Sequence, residues 1–223
     1  MRDTVRVWFI PVAVPPHEMA RYRSVLDAAE RARGARLDAG RLRDRFTVAH
    51  GALRVLAGQA VGTAPAALTW RPGRHGKPFL TGPGAGLHTS LSYSGDLVAV
   101  ALSADRPVGV DLEHVAPGGD PVSASARFFH PDEARHVAAA PDHDARARRF
   151  TRLWVRKEAL VKAAGGRLRP NLAVPVHGGD VVECADPPGP HRLADLPSPA
   201  AFRAAVALAG DRPYTVRTYP GAG

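Results

Sequence analysis

Residues 108–115 read VGVDLEHV, a stretch in which apolar and polar residues alternate. A period of two residues is typical of a β-strand with one buried face. At a rise of about 3.3 Å per residue, Asp111 and Glu113 leave the same face of that strand about 6.6 Å apart. Two carboxylates this close repel each other unless a cation lies between them. The stretch therefore predicts either a solvated edge strand or one side of a cation site.

Length and composition indicate a globular protein of one large domain or two small ones. The chain has 223 residues, of which 45% are hydrophobic and 23% charged. Its single cysteine, Cys184, excludes an intramolecular disulfide and a CxxC-type metal site, and it fits a reducing cytosol. The sequence contains no apolar run near the roughly 20 residues that span a bilayer. We therefore expect a cytoplasmic protein with no membrane partner.

The net charge points to an anionic partner. A formal charge of +9 and a pI of about 10.7 suit nucleic acid, an acidic protein or a polyphosphate ligand. The basic residues are not interleaved with aromatic ones, and the sequence shows no helix-turn-helix, zinc-finger or RNP pattern. Nucleic acid is therefore the less favoured partner.

Local patterns predict the order of elements along the chain. Residues 17–61 are expected to be helical, and two strands flank the turn at 94–96 before the strand of 106–115. The predicted elements that follow are helices at 122–129 and from 132, a long helix at 144–164 with a left-handed cap at 165–166, and short strands over 170–219. A boundary near 104–107 divides the chain into an N-terminal half, 1–105, and a C-terminal half, 106–223.

A second informative stretch is WVRKEALVKAAGG at 154–166. On a helix, Trp154, Glu158 and Lys162 share one face, and Glu158 precedes Lys162 in the favourable orientation for an ion pair. The simplest interpretation is a surface salt bridge of about 0.3–0.5 kcal/mol.

Together the two stretches favour a metal site. Asp111, Glu113 and Glu158 offer three carboxylates, and Mg²⁺ prefers octahedral oxygen ligands at about 2.0–2.1 Å. The sequence contains no His/Cys cluster that would favour zinc. A divalent ion would also relieve the repulsion within the strand. Lys162, one turn from Glu158, would then neutralise charge that develops on a phosphate leaving group.

The paired stretches resemble the signature of the 4′-phosphopantetheinyl transferases, (V/I)G(V/I)D(V/I/L)E followed by W(S/T)xKExxxK. Three further segments are similar to family motifs: RHGKPFL at 74–80, SLSYSGDLVAVAL at 90–102 and ARFFHPDEA at 126–134. The chain length resembles the monomeric branch typified by the surfactin-synthetase activator. The resemblance implies an α+β fold of two similar halves related by a pseudo-twofold, with the coenzyme A contacts and the GKP loop in the first half and the metal-binding strand in the second.

The resemblance also implies a reaction. Coenzyme A would donate its phosphopantetheine arm to a serine of an acyl or peptidyl carrier protein, with Mg²⁺ as cofactor and 3′,5′-ADP as product. Asp111, Glu113 and Glu158 would hold the metal, Glu158 would also accept the serine proton, and Lys162 would assist the departing phosphate. The expected partner is an acidic carrier protein of fatty acid, polyketide or nonribosomal peptide synthesis, which the net positive charge suits.

The resemblance assigns the coenzyme A contacts to the first half. The residues that it implies are Arg33, Arg36, Arg45, Lys77, Ser92 and Tyr93. Arginine suits phosphate because its planar fork binds two oxygens at once. Tyr93 departs from the family, which has a histidine there, and a neutral hydroxyl binds a phosphate more weakly than a charged ring. We therefore hypothesise that nearby arginines take over recognition of the 3′-phosphate. A non-catalytic docking protein is the alternative, which the intact carboxylate and lysine set disfavours.

Overall fold

The computed structural model describes residues 3–38, 40–115 and 118–221, which fold into an α+β protein as predicted. In chain order the elements are β1 (Asp3–Pro11), α1 (Pro16–Val25), α2 (Ala28–Ala35), α3 (Arg41–Val61), β2 (Thr69–Pro72), β3 (Pro78–Thr81), β4 (His88–Ser94), β5 (Leu97–Ser103), β6 (Val108–His114), α4 (Pro121–Phe128), α5 (Pro131–Ala138), α6 (His143–Ala164), α7 (Leu168–Asn171), β7 (Val181–Ala185), β8 (Pro188–Leu196), β9 (Phe202–Ala209) and β10 (Tyr214–Pro220). Short 3₁₀ turns occur at Pro65–Ala67, Arg74–Gly76 and Gly82–Gly84.

The chain divides into two compact units. Unit 1 contains Met1–Gly73, Lys77–Asp105 and Tyr214–Gly223, and unit 2 contains Arg74–Gly76 and Arg106–Pro213. Each unit has a four-stranded sheet and one long helix, α3 in unit 1 and α6 in unit 2. The pseudo-twofold relation between the halves stays a prediction.

The sheet of unit 1 has the strand order β10-β1-β5-β4. Strand β5 is buried at every position, and its valines and leucines pack with the apolar residues of α3 in one core cluster. Helix α1 approaches α3 closely because Gly51 has no side chain: a Cβ there would lie 2.4 Å from the Cβ of Tyr22. Apolar burial of this kind stabilises the unit by about 25 cal/mol per Å².

The last strand lies in unit 1, whereas the predicted C-terminal half ran to residue 223. Strand β10 pairs in parallel with β1, with Asp3 opposite Tyr214 and Phe9 opposite Pro220. Trp8 stacks on Tyr219 with ring centroids 5.1 Å apart. A parallel pairing between the two ends of the chain leaves no local signal, since it depends on long-range contacts alone.

The region 17–61, which is predicted to be helical, forms three separate helices. Helix α1 ends at Leu26, whose backbone is extended, and Asp27 then begins α2 with a capping box in which Asp27 and Glu30 bond each other's backbone N–H groups. Helix α3 begins after Gly40, which has φ +92°. The D-x-x-E pattern at 27–30 is the sequence signal for the new helix start.

The sheet of unit 2 has the order β6-β9-β8-β7, so β6 is an edge strand. Helix α6 packs against β6, β9 and β8. It begins at the N-cap Asp142, whose carboxylate accepts from the Ala145 N–H at 2.7 Å, and it ends at Gly165 with φ +64°. The predicted left-handed cap is therefore confirmed. Among the described residues, the helices are all too short or too polar to cross a membrane.

Candidate active site

Gly109 sets the distance between β6 and α6. A Cβ at this position would lie 2.0 Å from the carbonyl oxygen of Ala159 and 2.4 Å from the backbone nitrogen of Ala163. Any side chain would therefore push the helix off the strand. Because glycine stands here, α6 lies directly on the face of β6 from which Asp111 projects.

The close packing forms an ion pair between strand and helix. Lys162 Nζ lies 2.6 Å from Asp111 Oδ1, and the Asp111 side chain is 4% exposed. The prediction paired Lys162 with Glu158 on the helix surface, but the lysine reaches across to the strand. A solvated face is also the wrong interpretation for Asp111, because α6 covers that side of the edge strand.

Glu158 lies beside this pair and is half-buried. Its pKa is raised by burial first and then by the negative charge of Asp111, with a smaller contribution from Glu113, while Lys162 opposes the rise. The three predicted carboxylates and the lysine therefore lie near enough to affect one another. Three carboxylates at one lysine leave an excess of negative charge that a divalent cation would neutralise.

The donor chemistry of this cluster fits a hard divalent cation, because all three side chains offer carboxylate oxygens. In the described ranges, no group of three or more His, Cys, Asp or Glu side chains lies close enough together to hold a metal ion. The ammonium of Lys162 occupies the position nearest Asp111. The lysine bonds one oxygen of this carboxylate, Oδ1, and an ionised carboxylate has a second oxygen that can ligate a cation.

An apolar cavity of about 320 Å³ opens beside Glu113. Its lining residues are Glu113, His114, Gly118, Gly119, Asp120, Pro121, Ala124, Ala147, Phe150, Thr151 and Trp154. Phe150 stacks between Phe129 and Trp154, with ring centroids 5.0 and 6.1 Å away. Trp154 thus packs against the core of unit 2. It also lines a cavity that the sequence did not predict. The signal in the sequence is the stripe 147, 150, 151, 154, which continues to Glu158 on the same helix face.

In unit 1, two of the residues predicted to contact coenzyme A come together. The Arg45 guanidinium lies 5.0 Å from the ring centroid of Tyr93, and Arg45 Nη1 donates to the Gly95 carbonyl at 3.4 Å. This stacking orients the fork of Arg45 at the turn between β4 and β5. Ser92, next to the tyrosine, is buried in β4.

Lys77 lies at the start of β3, in the GKP loop. Burial lowers the pKa of its ammonium to about 8. The pKa of His88 is lowered by burial first and then by the positive charge of Lys77. A buried ammonium is costly, and an anionic ligand would offset that cost.

Arg33 lies on α2 and Arg36 is its C-cap residue, and both are exposed. Arg33 lies over the Phe46 ring, with its guanidinium carbon 5.6 Å from the centroid. Helix α2 buries one residue, Gly34, so apolar packing holds it weakly. Its position depends instead on polar contacts from α3.

Arg54 makes the main one of these contacts and was not predicted as a functional residue. It is fully buried and donates from Nε to Glu30 Oε2 at 2.6 Å, from Nη2 to Asp27, and from Nη1 to the carbonyls of Pro65 and Leu68 at 3.2 and 3.0 Å. Hydrogen bonds from His50, Asp27 and Arg54 outweigh burial and lower the pKa of Glu30. The guanidinium thereby fixes the start of α2 through its capping box.

A second buried ion pair supports α6 from the other side. Lys157 Nζ lies 2.6 Å from Glu133 Oε2, and their side chains are 0% and 1% exposed. Lys157 also donates to the Val174 carbonyl at 2.5 Å, and Glu133 accepts from the Val176 N–H at 2.6 Å. The pair joins α5, α6 and the segment before β7. Its lysine, Lys157, directly precedes Glu158 in the sequence.

Comparisons with known proteins identify the family of the chain. The model of the 4′-phosphopantetheinyl transferase superfamily matches residues 107–217, which include β6 and α6. The chain is 34% identical over 167 residues to the 4′-phosphopantetheinyl transferase HetI of Nostoc sp., a match that covers 74% of this chain and 70% of that protein.

Two further relatives are similar over shorter stretches. A putative 4′-phosphopantetheinyl transferase of Synechocystis sp. is 29% identical over 161 residues, 72% of this chain and 64% of the relative. The 4′-phosphopantetheinyl transferase AcpT of Salmonella typhimurium is 39% identical over 114 residues, 51% of this chain and 56% of the relative. The chain therefore belongs to the 4′-phosphopantetheinyl transferase superfamily, a family of transferases.

Proposed function

We propose that this protein transfers the 4′-phosphopantetheine arm of coenzyme A to a serine of an acyl or peptidyl carrier protein and releases 3′,5′-ADP. The observation that carries the proposal is the cluster of Asp111, Glu158 and Lys162 at the contact of β6 and α6. It combines a proton acceptor with a cation for a phosphate leaving group. The same step requires both, because an oxygen–phosphorus bond forms while another breaks.

Each residue of the cluster has a place in the step. Glu158 would take the proton of the serine hydroxyl as its oxygen attacks the β-phosphorus, and its raised pKa makes it a stronger base than an ordinary carboxylate. The bond from the β-phosphorus to the bridging oxygen breaks, and the electron pair leaves with the α-phosphate. Lys162, whose side chain is partly exposed beside Asp111, would neutralise or protonate that oxygen.

Asp111, Glu113 and Glu158 would hold Mg²⁺. The ion, when bound, supplies charge neutralisation of the pyrophosphate. Asp111 is already held in place by the packing of β6 on α6, and the other two carboxylates interact with it electrostatically. Lys162 bonds Oδ1 of Asp111, so this carboxylate would be shared between the lysine and the ion.

The cavity beside Glu113 would accept the phosphopantetheine arm. The arm is uncharged beyond its phosphate, and the wall of Phe150, Trp154 and Ala147 offers an apolar surface for it. In unit 1, the residues whose positive charge would suit phosphate groups are Lys77, Arg45, Arg33 and Arg36.

Lys77 is expected to make coenzyme A binding depend on pH. Its pKa of about 8 means that the ammonium loses its charge above that pH in the free enzyme. The KM for coenzyme A should then rise by up to about tenfold per pH unit, because binding must be accompanied by proton uptake. Lys77→Arg keeps the charge at all these pH values and should remove the rise. The measurement is KM for coenzyme A between about pH 7 and pH 9, with KM for the carrier protein as control. A flat profile in the wild type would contradict the assignment.

Arg45 is expected to read the 3′-phosphate in place of the family histidine. A charge-assisted hydrogen bond contributes about 1.5–3 kcal/mol, so Arg45→Gln should reduce the preference for coenzyme A over dephospho-coenzyme A by about 10- to 100-fold. Tyr93→Phe keeps the stacked ring and should leave the preference unchanged. The measurement is the ratio of kcat/KM for the two donors. An equal kcat/KM for both donors in the wild type would mean that the 3′-phosphate is scarcely recognised.

The direct test of the function is the mass of an apo carrier protein after incubation with the enzyme. We expect an increase of one phosphopantetheine that requires both coenzyme A and Mg²⁺ and is lost when either is omitted. A panel of apo carriers from fatty acid, polyketide and nonribosomal peptide synthases would identify the acceptor. We further propose that the enzyme acts as a cytoplasmic monomer. The absence of any mass increase across the panel would reject the proposed function.

A further inference from the structure

Four arginines line one open depression on unit 2. The depression has a volume of about 340 Å³ and is lined by His136, Ala145, Arg148, Arg149, Arg152 and Arg203, from α5, α6 and β9. Within the described part of the chain this lining contains no carboxylate. Guanidinium groups that share one surface repel one another, so the arrangement costs stability unless an anion binds there.

Neighbouring groups leave most of this charge in place. Arg149 donates to the His136 carbonyl at 2.7 Å, and Arg203 donates to the Phe202 carbonyl at 2.6 Å. A carbonyl satisfies a donor but does not cancel its charge. Arg152 bonds Asp195, as does Arg156, so that one carboxylate serves two arginines.

Arg148 is the most available of the four. Its side chain is exposed, and over residues 3–38, 40–115 and 118–221 it has no hydrogen-bond or ion-pair partner. Among the described residues, a partner with negative charge would therefore meet Arg148 and Arg149, two guanidinium groups that have no carboxylate partner.

The pKa of His136 is lowered in the same positively charged surroundings. Burial lowers its pKa, and the neighbouring His177, Arg149 and Arg152 lower it further. The rings of His136 and His177 stack with centroids 3.8 Å apart. A positive charge on His136 is thus disfavoured by the same arginines that would attract an anion.

The depression lies beside the candidate active site. Arg203 on β9 is the register partner of Glu113 on β6. The three arginines of α6 lie two to six residues before Trp154 and six to ten residues before Glu158. A macromolecule bound at the arginines would therefore be next to the carboxylate cluster.

We propose that Arg148, Arg149, Arg152 and Arg203 form the docking surface for an acidic segment of the protein that presents the acceptor serine. The inference rests on the proposed transfer function and locates its protein substrate. An extended acidic segment fits better than a small anion, because the depression is open, has a volume of about 340 Å³ and is lined from α5, α6 and β9. Complementary charge of this kind mainly speeds encounter and lowers KM.

Charge reversal tests the docking surface. Arg148→Glu and Arg149→Glu should each raise KM for an apo acyl carrier protein by about tenfold and leave kcat and the KM for coenzyme A within about twofold. Added salt should raise KM in the wild type and much less in the variants. The matched control is Arg71→Glu, which replaces an exposed arginine of β2 in unit 1. It should change none of the three constants: KM for the carrier, kcat and KM for coenzyme A. An equal effect of Arg71→Glu would reduce the result to net charge and overturn the proposal.

Binding without turnover separates this inference from the proposed function. An acyl carrier protein with its acceptor serine replaced by alanine should bind the wild type and raise the pKa of His136 measured by NMR, and Arg148→Glu should weaken both effects. If the wild type transfers phosphopantetheine but these variants bind the carrier normally, the docking surface is wrong while the function stands. Binding of a DNA duplex with the same dependence on Arg148 would also overturn it.

Discussion

Replacing Glu158 by glutamine is expected to reduce phosphopantetheine transfer by about 10³-fold while leaving the protein equally or more stable. A general base typically contributes 10²- to 10⁴-fold, and glutamine can neither accept the serine proton nor bind a cation with charge. Asp111→Asn should give a loss of the same order, because it removes both the metal ligand and the partner of Lys162. The measurement is kcat/KM by carrier mass or by release of 3′,5′-ADP.

The Glu158→Gln variant is expected to lose activity without losing stability. The pKa of Glu158 is raised above its ordinary value of 4.5, so its contribution to stability is complete below that pH and is lost as the pH rises through the raised pKa. Without divalent cations, the wild-type Tm should therefore fall over that range, and the Tm of Glu158→Gln should not show this component. Mg²⁺ should restore the wild-type Tm at neutral pH and have little effect on the variant.

A matched variant separates this result from a general loss of charge. Glu183→Gln removes an exposed carboxylate of β7 and should leave both transfer and the Mg²⁺ effect unchanged. Transfer by Glu158→Gln within about tenfold of the wild type would contradict its assignment as the base. A Tm that responds equally to Mg²⁺ in both proteins would contradict its assignment as a ligand.

Local patterns were enough to predict the elements that carry the site. Alternation over 108–115 predicted β6, and the apolar stripe with its glycine cap predicted α6, because both signals depend on residues within a few positions of one another. The contact between the two elements is not local. Lys162 bonds Asp111 rather than Glu158 because Gly109 admits the helix onto the strand, and a glycine in a strand pattern does not reveal what approaches it.

Burial of charged residues was the other point that the sequence concealed. Arg54 belongs to a run of arginines that reads as a solvated helix face, yet it is the residue on which α2 depends. Lys157 and Lys162 lie five positions apart on one helix, and the sequence does not distinguish the fully buried lysine from the partly exposed one. The distinction follows from the position of α5, whose Glu133 provides the carboxylate for the buried one.

Removing one member of the buried pair is expected to be the most destabilising single change in unit 2. Glu133→Leu or Lys157→Met would leave the other buried side chain without its ion-pair partner, at a cost of about 3–5 kcal/mol in the free energy of unfolding. Burial already lowers the pKa of Lys157, and the attraction of Glu133 opposes that effect. Without Glu133, Lys157 would therefore either lose its proton in the folded protein or remain charged and destabilise the residues packed around it. The measurement is urea denaturation followed by circular dichroism.

The double variant Glu133→Leu with Lys157→Met provides the decisive comparison. Two apolar side chains of similar volume remove both charges together, which is often neutral or stabilising for an isolated buried pair. Here the Val174 carbonyl and the Val176 N–H would each lose a partner, at about 1–3 kcal/mol apiece. The double variant should therefore be about as stable as either single variant, with a coupling free energy of about 3 kcal/mol. Strict additivity of the two changes would show that the pair does not act as a unit. Arg135→Gln, which breaks the exposed pair with Asp132 on the same α5, should cost far less.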